Sequence, residues 1–146
     1  MGVRWIDFVE AERLTKTLAE RLDAWKTQQG YRDQDIGWVG IPRGGLIVLG
    51  ILSYWLKLPS QQVGCTPLAD GPIVVVDDCA LSGARFASWL RTQDARPVIF
   101  AHLLSPEILR QRIAETESEV VAVIAADNLE PLSRPDPDWQ RVWRER

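Results

Sequence analysis

Asp77 and Asp78 stand side by side in the stretch IVVVDDCALSGAR, residues 73–85, between an apolar run and a Ser-Gly step. Adjacent carboxylates of this kind suit vicinal hydroxyls, or water held by Mg²⁺. A few residues on, Ser82, Gly83 and Ala84 can form a nest of backbone amides for an anion, and Arg85 follows them. A second group lies earlier, in WVGIPRGGL, residues 38–46. There Gly44 and Gly45 let amides approach an anion at a helix N-terminus, and Arg43 supplies a charged fork for phosphate. Alone, IPRGGL reads equally well as a turn. Together, the two motifs imply a ligand with two separated phosphate groups and a diol.

These residues act together only if the chain carries them to one place. The β-branched run before Asp77 is a buried strand by composition. Ser82 can cap a helix in which Phe86, Trp89 and Leu90 share a face. The acid pair therefore sits at the carboxyl end of a strand, the edge where open α/β sheets bind ligands. Strands are also expected at 36–40, 61–65, 98–104 and 120–126. Helices are expected from Asp7 to Gly30, at 46–58, and after Ser105-Pro106-Glu107, where Ser105 caps, Pro106 takes the first turn, and Ile108, Leu109 and Ile113 point inward. The helix at 46–58 is apolar all round, which predicts burial on more than one side. Strands alternating with helices predict an α/β fold: a single domain with a mainly parallel five-stranded sheet and helices on both faces. The loops at 42–45 and 79–85 should then face one another across the carboxyl edge. Residues 1–126 form this core. Residues 127–146, with three prolines and with Trp139 and Trp143 four apart, form an extension packed on it or an aromatic lid over a ligand.

Composition excludes other classes. At 146 residues with a formal net charge of −3, the chain has no basic footprint for nucleic acid. Cys65, Cys79 and a single His give neither a zinc spacing nor a disulfide framework, and a reducing cytoplasm fits. No apolar leader opens the chain, and the stretch at 46–58 is too short to cross a bilayer. No G-x-x-x-x-G-K-[ST] occurs, so a P-loop is excluded. A receiver-like domain would put its acids on the first strand, whereas here they end the third.

The two motifs resemble those of type I phosphoribosyltransferases, the bacterial and archaeal purine members above all. IVVVDDCALSG matches the family's strand, acid pair and Ser/Thr-Gly loop. WVGIPRGGL matches its diphosphate loop, and Trp5-Ile6-Asp7-Phe8 is similar to the opening of the purine members. The resemblance covers roughly residues 4–104. It implies Arg43, Gly44 and Gly45 on diphosphate, Asp77 and Asp78 on the ribose hydroxyls and, through water, on Mg²⁺. It further implies Ser82, Gly83, Ala84 and Arg85 on the 5′-phosphate, and a strained or cis backbone near Pro42 and Arg43. The implied partner is phosphoribosyl diphosphate or a nucleoside monophosphate, in a homodimer or with a partner protein.

Four departures bear on chemistry. Leu81 stands where purine members that use 6-oxo bases carry an Asp, and general acid–base help of that kind is worth roughly 10² to 10⁴ in rate. Arg85 replaces a small hydroxyl residue. Only about residues 66–71 are available for the mobile loop that closes over the reacting centre, so the hood is minimal. No lysine follows Lys57 to meet a base carbonyl. No catalytic residue can be named on this pattern. Two readings stand: an enzyme transferring a phosphoribosyl group to a nitrogenous base with release of pyrophosphate, or a weak or silent relative serving as a regulatory or interaction module.

Overall fold

In the computed structural model, which describes residues 5–59, 63–64 and 71–129, the Asp7 carboxylate accepts the Glu10 amide at 2.8 Å and opens α1, Phe8–Gln29. Leu14, Leu18 and Leu22 recur at helical spacing on its buried face. Gly30, at φ 77°, closes it in the left-handed conformation that suits glycine. After a 3₁₀ turn at Asp33–Asp35, the chain enters β1, Gly37–Gly40, and then α2, Gly44–Leu56. There follow β2, Val63–Gly64; β3, Ile73–Val76; α3, Ala84–Leu90; β4, Val98–Ser105; α4, Glu107–Thr116; and β5, Val120–Asn128. The five strands form one parallel sheet in the order β2-β1-β3-β4-β5.

Alternation along the strands divides the core in two. Val74, Val76, Ile99 and Ala101 meet α1 and α2 on one face, with Trp38 fully buried among them. Ile73, Val75, Val98 and Phe100 meet α3 and α4 on the other. Both faces are thus covered, which is why β3 reads as an unbroken apolar run. Phe86 of α3 stacks on Phe100 with centroids 4.0 Å apart, and this contact seats the helix that follows the acid pair.

Four expectations need correction. Helix α2 buries Val48, Leu49 and Leu52, but Ile47 is 65 % and Tyr54 76 % exposed, because the helix covers one sheet face near an edge and, among the described residues, has no second neighbour on its outer side. Ser105 does not cap α4. It ends β4 fully buried, and Pro106 holds the N-cap position. Ile108 is half-exposed, and only Leu109 and Ile113 point inward. Strand β5 also runs two residues past the expected end of the core, to Asn128. The rest of the extension, with Trp139 and Trp143, and most of the short loop at 66–71 lie outside the described residues.

Candidate functional site

β1 and β3 are parallel neighbours, with Gly40 opposite Val76, so the loops that follow them leave the same edge of the sheet. The Ile41 amide donates to the Val76 carbonyl at 2.9 Å, extending the pairing one step beyond the strand. From there the β1–α2 loop lies directly on the acid pair. A Cβ on Gly44 would overlap the Asp78 carboxylate, and one on Gly45 would overlap the Val76 carbonyl oxygen. Paired glycines are what permit this approach. Arg43 is exposed at the N-cap of α2, and the Pro42–Arg43 peptide bond is cis.

The stretch after β3 is laced to β4. Asp77 donates its amide to Ala101 O at 3.0 Å, Leu103 N donates to Asp78 O at 2.8 Å, and Ala80 N donates to Leu104 O at 2.9 Å. Gly83 then turns the chain at φ 73° into α3, and the Ser82 hydroxyl accepts the Ala84 amide at 3.3 Å. The N-cap position is held by Gly83, one residue after the expected Ser82.

The carboxylates are not equivalent. Asp77 is 2 % exposed, and its Oδ1 accepts the Asp78 amide at 2.8 Å. Asp78 is half-buried, and its Oδ1 accepts the Cys79 amide at 2.7 Å. Arg85 closes over both: its Nη2 lies 2.7 Å from Asp78 Oδ1 and 3.2 Å from Asp77 Oδ1, and it donates to the Cys79 carbonyl at 3.3 Å. Burial pushes the Asp77 carboxyl up to about 7, against the pull of the Asp78 amide and the Arg85 charge. Burial works on Asp78 in the same direction, but the Cys79 amide, the Asp77 side chain and Arg85 overcome it and hold Asp78 below its ordinary value. Two carboxylates in contact divide their proton in this way. Below neutral pH the pair carries about one negative charge, which one guanidinium balances.

A cavity of about 260 Å³ opens here, walled by the acid pair, Leu81, Ser82, Gly83 and Arg85. That is small for a ligand pocket and near the scale of a sugar phosphate. Leu81 lines it and is 54 % exposed, so one part of the cavity wall is apolar.

The arrangement does not fit a divalent ion on the pair as it stands. Mg²⁺ holds carboxylates through a hydrated octahedral shell, yet both Oδ1 atoms already face the Arg85 guanidinium and Asp78 Oδ2 lies against Gly44. Among the described residues no group of three or more His, Cys, Asp or Glu could hold a metal. Arg85, expected on phosphate, is anchored by Nη2 to the acids.

No protein-family model matches the chain, and no curated protein matches it. Solved structures do. A purine phosphoribosyltransferase from Pyrococcus horikoshii superposes with a TM-score of 0.56 at 19 % identity, covering 89 % of each chain. An orotate phosphoribosyltransferase from Aeropyrum pernix gives 0.57 at 19 %, covering 86 % of this chain and 79 % of that one. The fold is that of the type I phosphoribosyltransferases. A hypothetical protein from Neisseria gonorrhoeae with bound ppGpp shares it, at a TM-score of 0.56 and 18 % identity over 86 % of this chain and 82 % of that one.

Within this type I phosphoribosyltransferase fold, one polar cluster escaped the sequence reading. His102, the chain's one histidine, is fully buried on β4, with Nε2 2.6 Å from the Ser105 hydroxyl and its ring against Phe100. Arg110 of α4 donates to both the Ser105 carbonyl and its hydroxyl, at 2.7 and 2.9 Å, and also to Asn128. The available signal was parity, since residue 102 falls on the same face of β4 as Val98 and Phe100. Among the described residues, no helix is long and apolar enough to cross a membrane.

Proposed function

We propose that the chain binds a phosphorylated ribose compound, phosphoribosyl diphosphate or a nucleoside monophosphate, between the two loops, in the cytoplasm. Arg43 and the amides of Gly44 and Gly45 take the diphosphate, Asp77 and Asp78 take the ribose hydroxyls, and Ser82, Gly83, Ala84 and Arg85 take the 5′-phosphate. The observation that carries this reading is the contact of Gly44 and Gly45 with the end of β3, which joins the two motifs into one site. The phosphoribosyltransferase fold and the ppGpp bound by the Neisseria protein support a nucleotide-type ligand. Mg²⁺ belongs to the reading as the partner of the diphosphate oxygens.

In the active form of this reading, the bond from the ribose anomeric carbon to diphosphate breaks as a base nitrogen bonds to that carbon, and pyrophosphate leaves with the electron pair. The acid pair faces the cationic sugar of the transition state, and Arg43 faces the leaving group. The second reading, a protein that binds without turnover, is favoured by Leu81 on the cavity wall. Its interaction surface would be the outer side of α2, where Ile47 and Tyr54 stand exposed and where a second copy of the chain would dock.

Calorimetric titration with phosphoribosyl diphosphate and with guanosine monophosphate tests the reading. Binding is expected for the wild type, weakened by Arg43→Ala and lost in the double variant Asp77→Asn with Asp78→Asn. No binding at millimolar concentration would overturn it. Pyrophosphate release with a panel of bases then separates the enzyme from the silent relative.

A further inference from the structure

Resting on that ligand reading, we propose that Arg85 is the standing cation of the acid pair: the site takes its phosphorylated ribose with no divalent ion on Asp77 and Asp78, and the guanidinium links these carboxylates to the ligand's phosphate. Arg85 is the second residue of α3. A side chain at that position leans back toward the helix N-terminus, and here this aims it at the strand end that carries the acids. The helix cannot shift away freely, because Phe86 is fully buried and stacked on Phe100.

Three of the pair's four carboxylate oxygens are already engaged by the guanidinium, by backbone amides or by Gly44. Nη2 reaches Oδ1 of both carboxylates and the Cys79 carbonyl. Asp77 Oδ1 and Asp78 Oδ1 also accept the amides of Asp78 and Cys79, while Gly44 covers Asp78 Oδ2. An ion that keeps its water shell would have to expel the guanidinium and stand beside its charge. The ion-pair and carbonyl contacts all use Nη2, and a guanidinium carries five N–H donors in a planar fork. Arg85 lines the same cavity as Ser82 and Gly83, where a phosphate would add a charge-assisted contact to the guanidinium.

The test begins with Mn²⁺ alone, followed by paramagnetic resonance of the free ion. The wild type is expected to bind Mn²⁺ at least about tenfold more weakly than Arg85→Gln, and the gain in Arg85→Gln should vanish when Asp78→Asn is added. Arg85→Lys, which keeps the charge, should behave as the wild type does. Arg85 is half-exposed, so these variants should fold, and their circular dichroism checks that. No gain on removing Arg85, or wild-type binding as tight as the variant's, would overturn the proposal. In a second arm ribose 5-phosphate is titrated in EDTA and in Mg²⁺, and equal affinity is expected. An affinity raised about tenfold by Mg²⁺ would overturn the proposal. No binding in either buffer would overturn its ligand half together with the reading it rests on, while the Mn²⁺ arm judges the guanidinium by itself.

Discussion

Lowering the pH from 7 to 5 should remove about 2 kcal/mol of stability through His102 alone. Burial and the nearby Arg110 charge push its folded pKa down to about 3, whereas an unfolded chain titrates near the ordinary value of 6.5. Between those values the unfolded state takes up a proton that the folded state refuses. The contribution is therefore intact above about 6.5 and is lost as pH falls, with a slope approaching ~1.4 kcal/mol per unit. Asp77 acts with the opposite sign. Its folded pKa of about 7 lies above its ordinary 3.8, so its contribution is present at low pH and is lost as pH rises through neutrality. A wild-type curve alone would mix the two. Urea unfolding of the wild type and His102→Gln, at intervals from pH 5 to 7, isolates the histidine, because Asp77 is common to both. The stability of the wild type should fall by about 2 kcal/mol relative to the variant across that range. Proton resonance of the chain's one histidine should show no titration over the same range. A histidine that titrates near 6.5, or unfolding curves that stay parallel, would refute the reasoning.

Two further substitutions test the packing that builds the site. Gly45→Ala places a methyl on the Val76 carbonyl oxygen, backbone that is itself hydrogen-bonded to Ile41, and should cost more than about 2 kcal/mol in urea unfolding; Gly50→Ala, on the open side of α2, should instead gain up to ~1 kcal/mol. Phe86→Ala removes the stack on Phe100 and should cost about 3–5 kcal/mol, with thermal melting as the readout.

The order of strands and helices was legible because each β-strand of the covered sheet is a short apolar run ended by a loop, and because Asp7 and Gly30 mark the ends of α1 through local chemistry that a sequence displays. The meeting of the two loops was legible for the same reason: both follow strands, and parallel neighbours deliver their loops to one edge. What was not legible depends on neighbours far along the chain. The outer side of α2 reads as core by composition, and only the absence of a second packing partner among the described residues leaves Ile47 and Tyr54 exposed. Ser105 has every local mark of an N-cap, yet Arg110 and His102 claim its hydroxyl and hold it in the strand. The pairing of Arg85 with Asp78 was not legible, because it depends on the direction in which α3 leaves Gly83.

The groups gathered at the sheet edge differ in what they can do for a ligand and for a reaction. Amides at a helix start, a guanidinium and carboxylates act on charges and hydroxyls that are already present in a bound sugar phosphate, so they stabilise the ground state as readily as anything later. Proton transfer and exclusion of water are needed only as bonds change, and they require an acid or base in reach and a cover over the centre. On the cavity wall the position that could supply the first is Leu81, half-exposed and without a proton to give. Under the proposed reading, affinity should therefore survive substitutions on the Leu81 side of the cavity and collapse with those at Asp77 and Asp78. Leu81→Asp provides the discriminating case: it puts a carboxyl on the cavity wall while leaving Arg43, Gly44, Gly45, Ser82 and Gly83 in place. If the chain is an enzyme limited by proton handling, pyrophosphate release with a 6-oxopurine should rise by roughly 10²-fold or more, with little change in the affinity for phosphoribosyl diphosphate. If the rate does not move, the proton is not what limits this site, and the binding-only reading gains the argument.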